Sequence, residues 1–151
     1  MTPMKSLAAL VGVLALAGML ARRTLSAVTV RGNSMLPTLT DGQRVLAVRR
    51  RRYRRGDIVV FWTPGGRGTP DNPDYRVKRV VAIAGDPRPA RFADSALAEV
   101  VPAGRLAVAG DGVDSQDSTS LGYIPVERLK GRVLGYPALG SSRRRSLRSR
   151  T

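Results

Sequence analysis

Short apolar runs alternate with turn-forming residues along most of the chain from residue 25 onward. The runs fall at residues 25–30, 44–48, 58–62, 75–84, 105–109 and 131–136. They are rich in Val and are bounded by Gly, Pro and Asp, which is typical of β-strands. No long stretch before the C-terminal tail has the 3.6-residue period of an amphipathic helix. The pattern therefore predicts a single, mainly β domain over residues 25–140.

A different pattern occupies the N-terminus, where residues 7–21 (LAALVGVLALAGMLA) are uncharged and almost wholly apolar. As a helix this run would be about 22 Å long, against roughly 30 Å for the hydrocarbon core of a bilayer. A cleaved signal peptide, with residues 15–17 as a small-residue cleavage site, and a retained anchor extended by its basic flanks both fit this length. An interfacial helix is disfavoured because the run has no polar face. We predict that residues 1–24 form one transmembrane helix that anchors the protein.

The chain carries 26 Lys and Arg residues against 11 Asp and Glu, a formal charge of +15. Residues 49–55 hold six Arg around Tyr53, and residues 141–151 hold five more in a tail that we predict to be disordered. Such runs are most often solvated surface; attraction to anionic lipid and non-specific contact with nucleic acid are the alternatives. The neighbouring apolar segment favours lipid over nucleic acid. The positive-inside rule, applied to the arginines after the apolar run, would place the folded domain in the cytoplasm.

The absence of His and Cys excludes several kinds of site. A Ser-His-Asp triad, a cysteine protease, a disulfide framework and the usual N/S zinc site are all impossible. Any catalysis must therefore use hydroxyl, amine, carboxyl or backbone groups.

Two residues stand out as candidate catalysts. Ser34 lies in a Gly, Asn and Pro turn (GNSMLPTL, residues 32–39) directly after the first predicted strand, where its hydroxyl is exposed and backbone N–H groups can face an oxyanion. By itself, such a serine is most often an ordinary turn residue.

Lys78 lies in the predicted strand 75–84, on the face opposite Arg79, and partial burial of that face would lower the pKa of the lysine toward the range in which it accepts protons. In a chain without His, Lys is the best remaining base for a hydroxyl nucleophile.

A third polar stretch, residues 109–122, contains carboxylates at Asp111, Asp114 and Asp117. Their spacing does not match the ligand order of an EF-hand loop. We therefore interpret the stretch as a polar turn and predict no metal site there.

Four stretches of the chain occur in a recognisable order: GNSMLPTL (32–39), RGDIVVF (55–61), VKRVVAIAGD (77–86) and GDGVDSQDSTSLGYIP (110–125). They resemble the successive sequence boxes of the signal peptidase I family of Ser/Lys membrane proteases, and the apolar N-terminal run is similar to the anchor of that family. The resemblance covers roughly residues 7–136. It implies a compact β domain that follows one N-terminal transmembrane helix.

The resemblance implies that Ser34 is the nucleophile, that its backbone N–H contributes to the oxyanion hole, and that Lys78 is the general base. Further residues match positions that orient the lysine or brace the site. These supporting residues are Ser115, which matches the lysine-orienting serine, Asp111 and Asp117, which match bracing carboxylates, and Arg79, the expected ion partner of one of them. The mechanism needs no cofactor.

The chain also departs from the family pattern. Gly32 stands where some members carry a Ser or Thr hydroxyl as a second oxyanion donor. Gly112 and Thr119 stand where the last box usually has Asn and Arg. Between Asp86 and Gly110 there are 23 residues, too few for the large second domain of some members. The sequence therefore predicts a minimal catalytic core.

The function implied by the resemblance is a membrane-anchored serine endopeptidase that removes signal or leader peptides from exported precursors after Ala-X-Ala-like small residues. The substrate would add as a strand beside the nucleophile, outside the cytoplasmic membrane. That location conflicts with the positive-inside count, and we follow the resemblance because charges further along a folded domain have little influence on topology. Two alternatives stay open: a maturation protease of the same clan dedicated to one precursor, and a non-enzymatic basic domain that binds membrane surfaces through residues 49–55 and the tail.

Overall fold

The computed structural model describes residues 10–15, 18–19, 24–64, 74–112 and 118–136, and a seven-stranded antiparallel sheet is their main element. The strands are β1 Leu25–Thr29, β2 Arg44–Val48, β3 Ile58–Trp62, β4 Tyr75–Ile83, β5 Arg105–Ala109, β6 Ile124–Pro125 and β7 Leu129–Val133. Their order across the sheet is β1-β2-β7-β3-β4-β5-β6.

The prediction of a mainly β domain is confirmed, and each of the six predicted runs overlaps a strand. β7 begins two residues earlier than its predicted run. β6 was not predicted, because two residues are too few to display a period of two.

Helical structure is short in the described residues. Ala90–Phe92 and Val126–Arg128 are 3₁₀ turns, Ser118–Leu121 is a single α-helical turn, and residues 10–15 and 18–19 are helical. The predicted anchor over residues 1–24 lies largely outside the described residues, the predicted disordered tail lies wholly outside them, and the domain boundaries stay predictions.

Within the part of the chain that the structure describes, no helix combines the length and the apolar composition that crossing a membrane requires.

β3 runs through the middle of the core and is buried on both faces. Ile58 and Val60 belong to one hydrophobic cluster, and Val59 and Phe61 belong to a second cluster that also contains Tyr53. Because successive side chains of a strand point to opposite faces, a strand covered on both sides must be apolar at consecutive positions. The uninterrupted sequence IVVFW meets that requirement.

β4 changes its pairing partner along its length, and this change creates room for a site. It pairs with β3 from Trp62↔Tyr75 to Ile58↔Arg79, whereas its pairing with β5 begins only at Arg79↔Ala109. The first half of β4, residues 75–78, therefore borders an open groove where β5 would otherwise lie. A register shift between Val80 and Ala82 interrupts the simple alternation farther along the strand.

Candidate functional site

Ser34 lies in the loop that joins β1 to β2, residues 30–43. A hydrogen bond from the Val30 N–H to the Gln43 carbonyl, 2.8 Å long, closes the base of this loop. Met35 and Leu39 are completely buried, and the Leu39 N–H donates to the Met35 carbonyl at 2.9 Å. These buried side chains anchor the turn, while Ser34 itself is half-buried and reaches the surface.

A second segment holds the same turn from outside. The Gly112 N–H donates a 3.0 Å hydrogen bond to the Ser34 carbonyl. A Cβ atom at position 112 would lie 2.8 Å from the Asn33 carbonyl oxygen and 3.4 Å from the Ser34 carbonyl carbon. Gly112 can therefore approach the turn this closely only because it has no side chain. The family that this sequence resembles usually has Asn at this position. An Asn side chain here would collide with the backbone of the turn.

Gly32 also has a structural explanation. Its φ is +78°, a left-handed conformation that favours glycine over residues with a Cβ. Its N–H donates a 2.7 Å hydrogen bond to Oδ1 of Asp41. A Ser or Thr at position 32 would be strained in this conformation, so the turn gives a backbone reason for the missing hydroxyl.

Lys78 occupies the middle of β4, opposite Val59 of β3. Its exposure is 3%, which makes it, with Asp57 and Arg79, one of three buried charged residues in the described part of the chain. An ammonium group withdrawn from water is destabilised relative to the neutral amine. Burial is thus the property that Lys78 shares with a lysine that serves as a base.

Ser34 and Lys78 meet in one groove of about 300 Å³ beside the first half of β4. Charged as well as apolar residues form its walls. The lining consists of Arg31, Ser34, Asp74, Tyr75, Arg76, Val77 and Lys78. The groove thus brings together residues that are 44 positions apart in sequence, the two candidates from the sequence analysis.

Arg79, the neighbour of Lys78, forms a buried ion pair with Asp111. Its Nε donates to Oδ1 at 2.8 Å and its Nη2 to Oδ2 at 2.6 Å, a bidentate arrangement. Nη1 donates to the Gly56 carbonyl at 2.8 Å, and Nη2 also lies 3.3 Å from the Thr38 hydroxyl. One guanidinium therefore ties together the Ser34 loop, the turn before β3, β4 and the segment after β5.

Burial alone would raise the pKa of Asp111. The hydrogen bond from Arg79, a further one from Thr38 and the nearby positive charge of Arg79 together outweigh that effect, so the pKa of Asp111 lies below its ordinary value. Asp111 is thus held as a carboxylate at neutral pH.

The structure brings some of the predicted site residues together and does not describe others. Ser34 and Lys78 share the groove, and Arg79 pairs with Asp111, whereas Ser115 and Asp117 lie outside the described residues. Thr38 has no signal in the sequence. Its hydroxyl contacts Arg79 and Asp111, which are far from it along the chain and reach it only when the protein is folded. No cluster of three or more His, Cys, Asp or Glu residues suited to a metal occurs in the residues that the structure describes.

A family model described as "Signal peptidase, peptidase S26" matches residues 4–87, more than half of the chain, including Ser34 and Lys78. No curated protein matches the chain.

Proposed function

Because the chain belongs to the signal peptidase family, peptidase S26, we propose that it is a serine endopeptidase in which Ser34 and Lys78 form the catalytic dyad. The observation that supports this assignment is the shared groove, in which a half-buried serine hydroxyl and a lysine with 3% exposure line the same cavity. In a chain without His, a lysine is the best remaining base for a serine hydroxyl.

The dyad would work by acyl transfer. Ser34 Oγ attacks the scissile carbonyl carbon while the neutral amine of Lys78 accepts the hydroxyl proton. The resulting ammonium returns that proton to the leaving amine as the peptide bond breaks, and an ester on Ser34 remains. A water then gives one proton to the neutral amine of Lys78 and attacks the ester. The ammonium returns that proton to Ser34 Oγ as the acid is released, which restores both the serine and the neutral lysine. The backbone N–H of Ser34 stabilises the oxyanion, and Ser115 and Asp117 stay proposed supporting residues.

The substrate would be an extended segment of an exported precursor. Residues 75–78 of β4 border the groove, so a peptide laid along them would extend the sheet next to Ser34 and present its scissile bond to the hydroxyl. We propose cleavage of a signal or leader peptide after Ala-X-Ala-like residues, with the catalytic domain outside the membrane and residues 1–24 as its anchor.

One observation favours the dedicated maturation protease as a second candidate. Arg31, Asp74 and Arg76 contribute charge to the walls of the groove. A general enzyme for small apolar residues gains little from such charges, whereas a protease for one precursor can use them to select a complementary charged residue.

The experiment is cleavage of a precursor with an Ala-X-Ala site by the full-length protein in liposomes. Ser34→Ala and Lys78→Met, the latter chosen to fill the buried lysine site, should each lower kcat/KM by about 10³-fold or more. The double variant should lose no more activity than either single variant, because the two side chains act as a unit.

Ser95→Ala, the same change in the loop between β4 and β5, serves as the matched control, and thermal unfolding checks that each variant is folded. Cleavage by folded Ser34→Ala at a rate close to that of the parent would overturn the dyad. A parent that does not cut this precursor but cuts another would favour the dedicated protease.

A further inference from the structure

The arginine-rich segment between β2 and β3 is a folded loop with a fixed centre. Tyr53 is buried in the same cluster as Val59 and Phe61, and its hydroxyl lies 3.4 Å from the Arg50 N–H that donates to it. Because the tyrosine faces the core, the arginines on either side of it face outward. Arg50, Arg51, Arg52 and Arg54 are all exposed.

These arginines enclose a cavity of about 420 Å³ together with two residues that the sequence pattern did not connect to them. Arg132 reaches the cavity from β7, and Asp57 closes it at the start of β3. The complete lining is Arg50, Arg51, Arg52, Arg54, Asp57 and Arg132. Five arginines and one aspartate line the cavity, so its lining carries a formal charge of +4.

The single carboxylate is already engaged and cannot neutralise the cavity. Asp57 has 4% exposure, and it accepts a 2.9 Å hydrogen bond from the Arg54 N–H and a 3.2 Å ion pair from Arg132 Nη1. Arg132 Nε is buried without a hydrogen-bond partner among the described residues. The cavity therefore has surplus N–H donors in a fork geometry that matches the oxygens of a phosphate group.

The position of the loop indicates where such a phosphate would come from. The Arg49 N–H donates a 2.9 Å hydrogen bond to the Thr24 carbonyl, and Leu25 pairs with Val48. The basic loop thus lies directly beside the point at which the apolar N-terminal segment enters the sheet. If that segment lies in a bilayer, the cavity lies at the level of the lipid headgroups.

We propose that this cavity binds the phosphate group of an anionic lipid and thereby fixes the orientation of the catalytic domain on the membrane. The inference rests on the membrane attachment proposed above but not on the catalytic dyad. A single-stranded nucleic acid is a poorer fit, because the one aromatic residue of the loop, Tyr53, is buried and offers no surface for base stacking.

The test measures thermal unfolding of the full-length chain in vesicles of phosphatidylcholine alone and in vesicles with about 30% phosphatidylglycerol. A ligand that binds only the folded state raises Tm, so the parent should be more stable in the anionic vesicles, by several degrees. The double variant Arg51→Gln/Arg52→Gln should lose most of this gain. The control Arg44→Gln/Arg105→Gln removes the same charge from strand positions outside the cavity and should keep it.

Each other outcome overturns the proposal in a distinguishable way. An equal loss of the gain in the control would show attraction to net charge rather than a site. The same gain with inorganic phosphate in nonionic detergent would show a free anion as the ligand, and a larger Arg51- and Arg52-dependent gain with a short oligonucleotide would show a nucleic-acid site. Ser34→Ala should behave as the parent does, so failure of the dyad and failure of the lipid site are separable.

Discussion

At the scale of single residues, the position of Ser34 depends on a neighbour that has no side chain. The Gly112 N–H donates a 3.0 Å hydrogen bond to the Ser34 carbonyl. A side chain at this position would place its Cβ atom only 2.8 Å from the Asn33 carbonyl oxygen. Catalysis is sensitive to displacements of about 1 Å in the reacting groups. We therefore expect Gly112 to act as a positioning residue for the proposed nucleophile, in addition to the buried side chains of Met35 and Leu39.

Gly112→Ala should consequently impair cleavage more than it impairs folding. The added methyl group forces the turn or the Gly112 segment to shift, and we expect kcat/KM to fall by about 10-fold or more with a stability loss of about 1–3 kcal/mol. The measurement is the rate of precursor cleavage per folded molecule, at a temperature well below Tm.

Gly131→Ala provides the matched control for that experiment. A Cβ atom at Gly131 would lie 2.7 Å from the Val48 carbonyl, so the substitution creates a clash between β7 and β2 rather than at the Ser34 loop. We expect it to lower Tm while folded molecules keep their activity. Unchanged cleavage by Gly112→Ala, or an equal loss in both variants, would contradict the positioning role.

At the scale of elements, the Arg79–Asp111 pair extends the contact between β4 and β5 beyond their last paired residues, Arg79 and Ala109. It links β4 to the segment after β5, and its extra hydrogen bonds reach the Gly56 carbonyl and the Thr38 hydroxyl. Removing one partner of this part-buried pair should destabilise the fold, because the remaining charge is left unpaired. The groove therefore depends on an ion pair behind it as well as on the residues that line it.

The lowered pKa of Asp111 predicts a specific loss of stability in acid. A carboxyl group with a lower pKa in the folded than in the unfolded state contributes stability above its unfolded pKa, near 3.9, and loses that contribution as the pH falls through the folded pKa. Asp111→Asn should be less stable than the parent at pH 7, and its Tm should fall less steeply below about pH 4. Thermal unfolding between about pH 7 and pH 2.5 measures both slopes.

Asp94→Asn is the control for the acid experiment, because Asp94 is exposed. Its Tm should follow the parent across the whole range. Asp86, whose pKa is lowered by its hydrogen bond with Arg55, contributes a separate acid-sensitive pair, so a residual slope is expected in every variant. An Asp111→Asn slope identical to that of the parent would contradict the assignment.

At the scale of the whole molecule, positive charge greatly exceeds negative charge. The formal charge of +15 includes the basic loop of residues 49–55 and the tail of residues 141–151. Self-repulsion of this size destabilises the compact state and is screened by salt. Salt also weakens exposed ion pairs. In the described residues, however, the ion pairs are fewer than the arginines and lysines that have no carboxylate partner to balance their charge.

Moderate salt should therefore stabilise the protein. Raising NaCl from about 10 mM to about 150 mM in nonionic detergent shortens the Debye length from about 30 Å to about 8 Å, and we expect Tm to rise by at least about 2 °C. Arg51→Gln/Arg52→Gln, with a formal charge of +13 (15 minus 2), should show a smaller rise. A flat or falling Tm in the parent would mean that ion pairing rather than repulsion dominates.

The sequence by itself determined the strand content and the two main candidates. Most strands could be located because each is a continuous apolar run between turn residues, a property local to the chain. Ser34 and Lys78 could be singled out because a chain without His and Cys has few possible nucleophile and base pairs, and because four motifs occur in a known order. The short strand β6 escaped detection because local periodicity needs more than two residues.

Only the tertiary structure decided the burial of Lys78, the contact of Gly112 with the Ser34 turn and the pairing of Arg79 with Asp111. It also brought Arg132 of β7 to the basic loop, a convergence across about 80 residues of sequence. These features depend on strand order and on contacts between segments far apart in sequence, and none of them produces a periodic pattern in the chain. Their physical origin is packing: a backbone approach or a buried charge pair is selected by what lies opposite it in space.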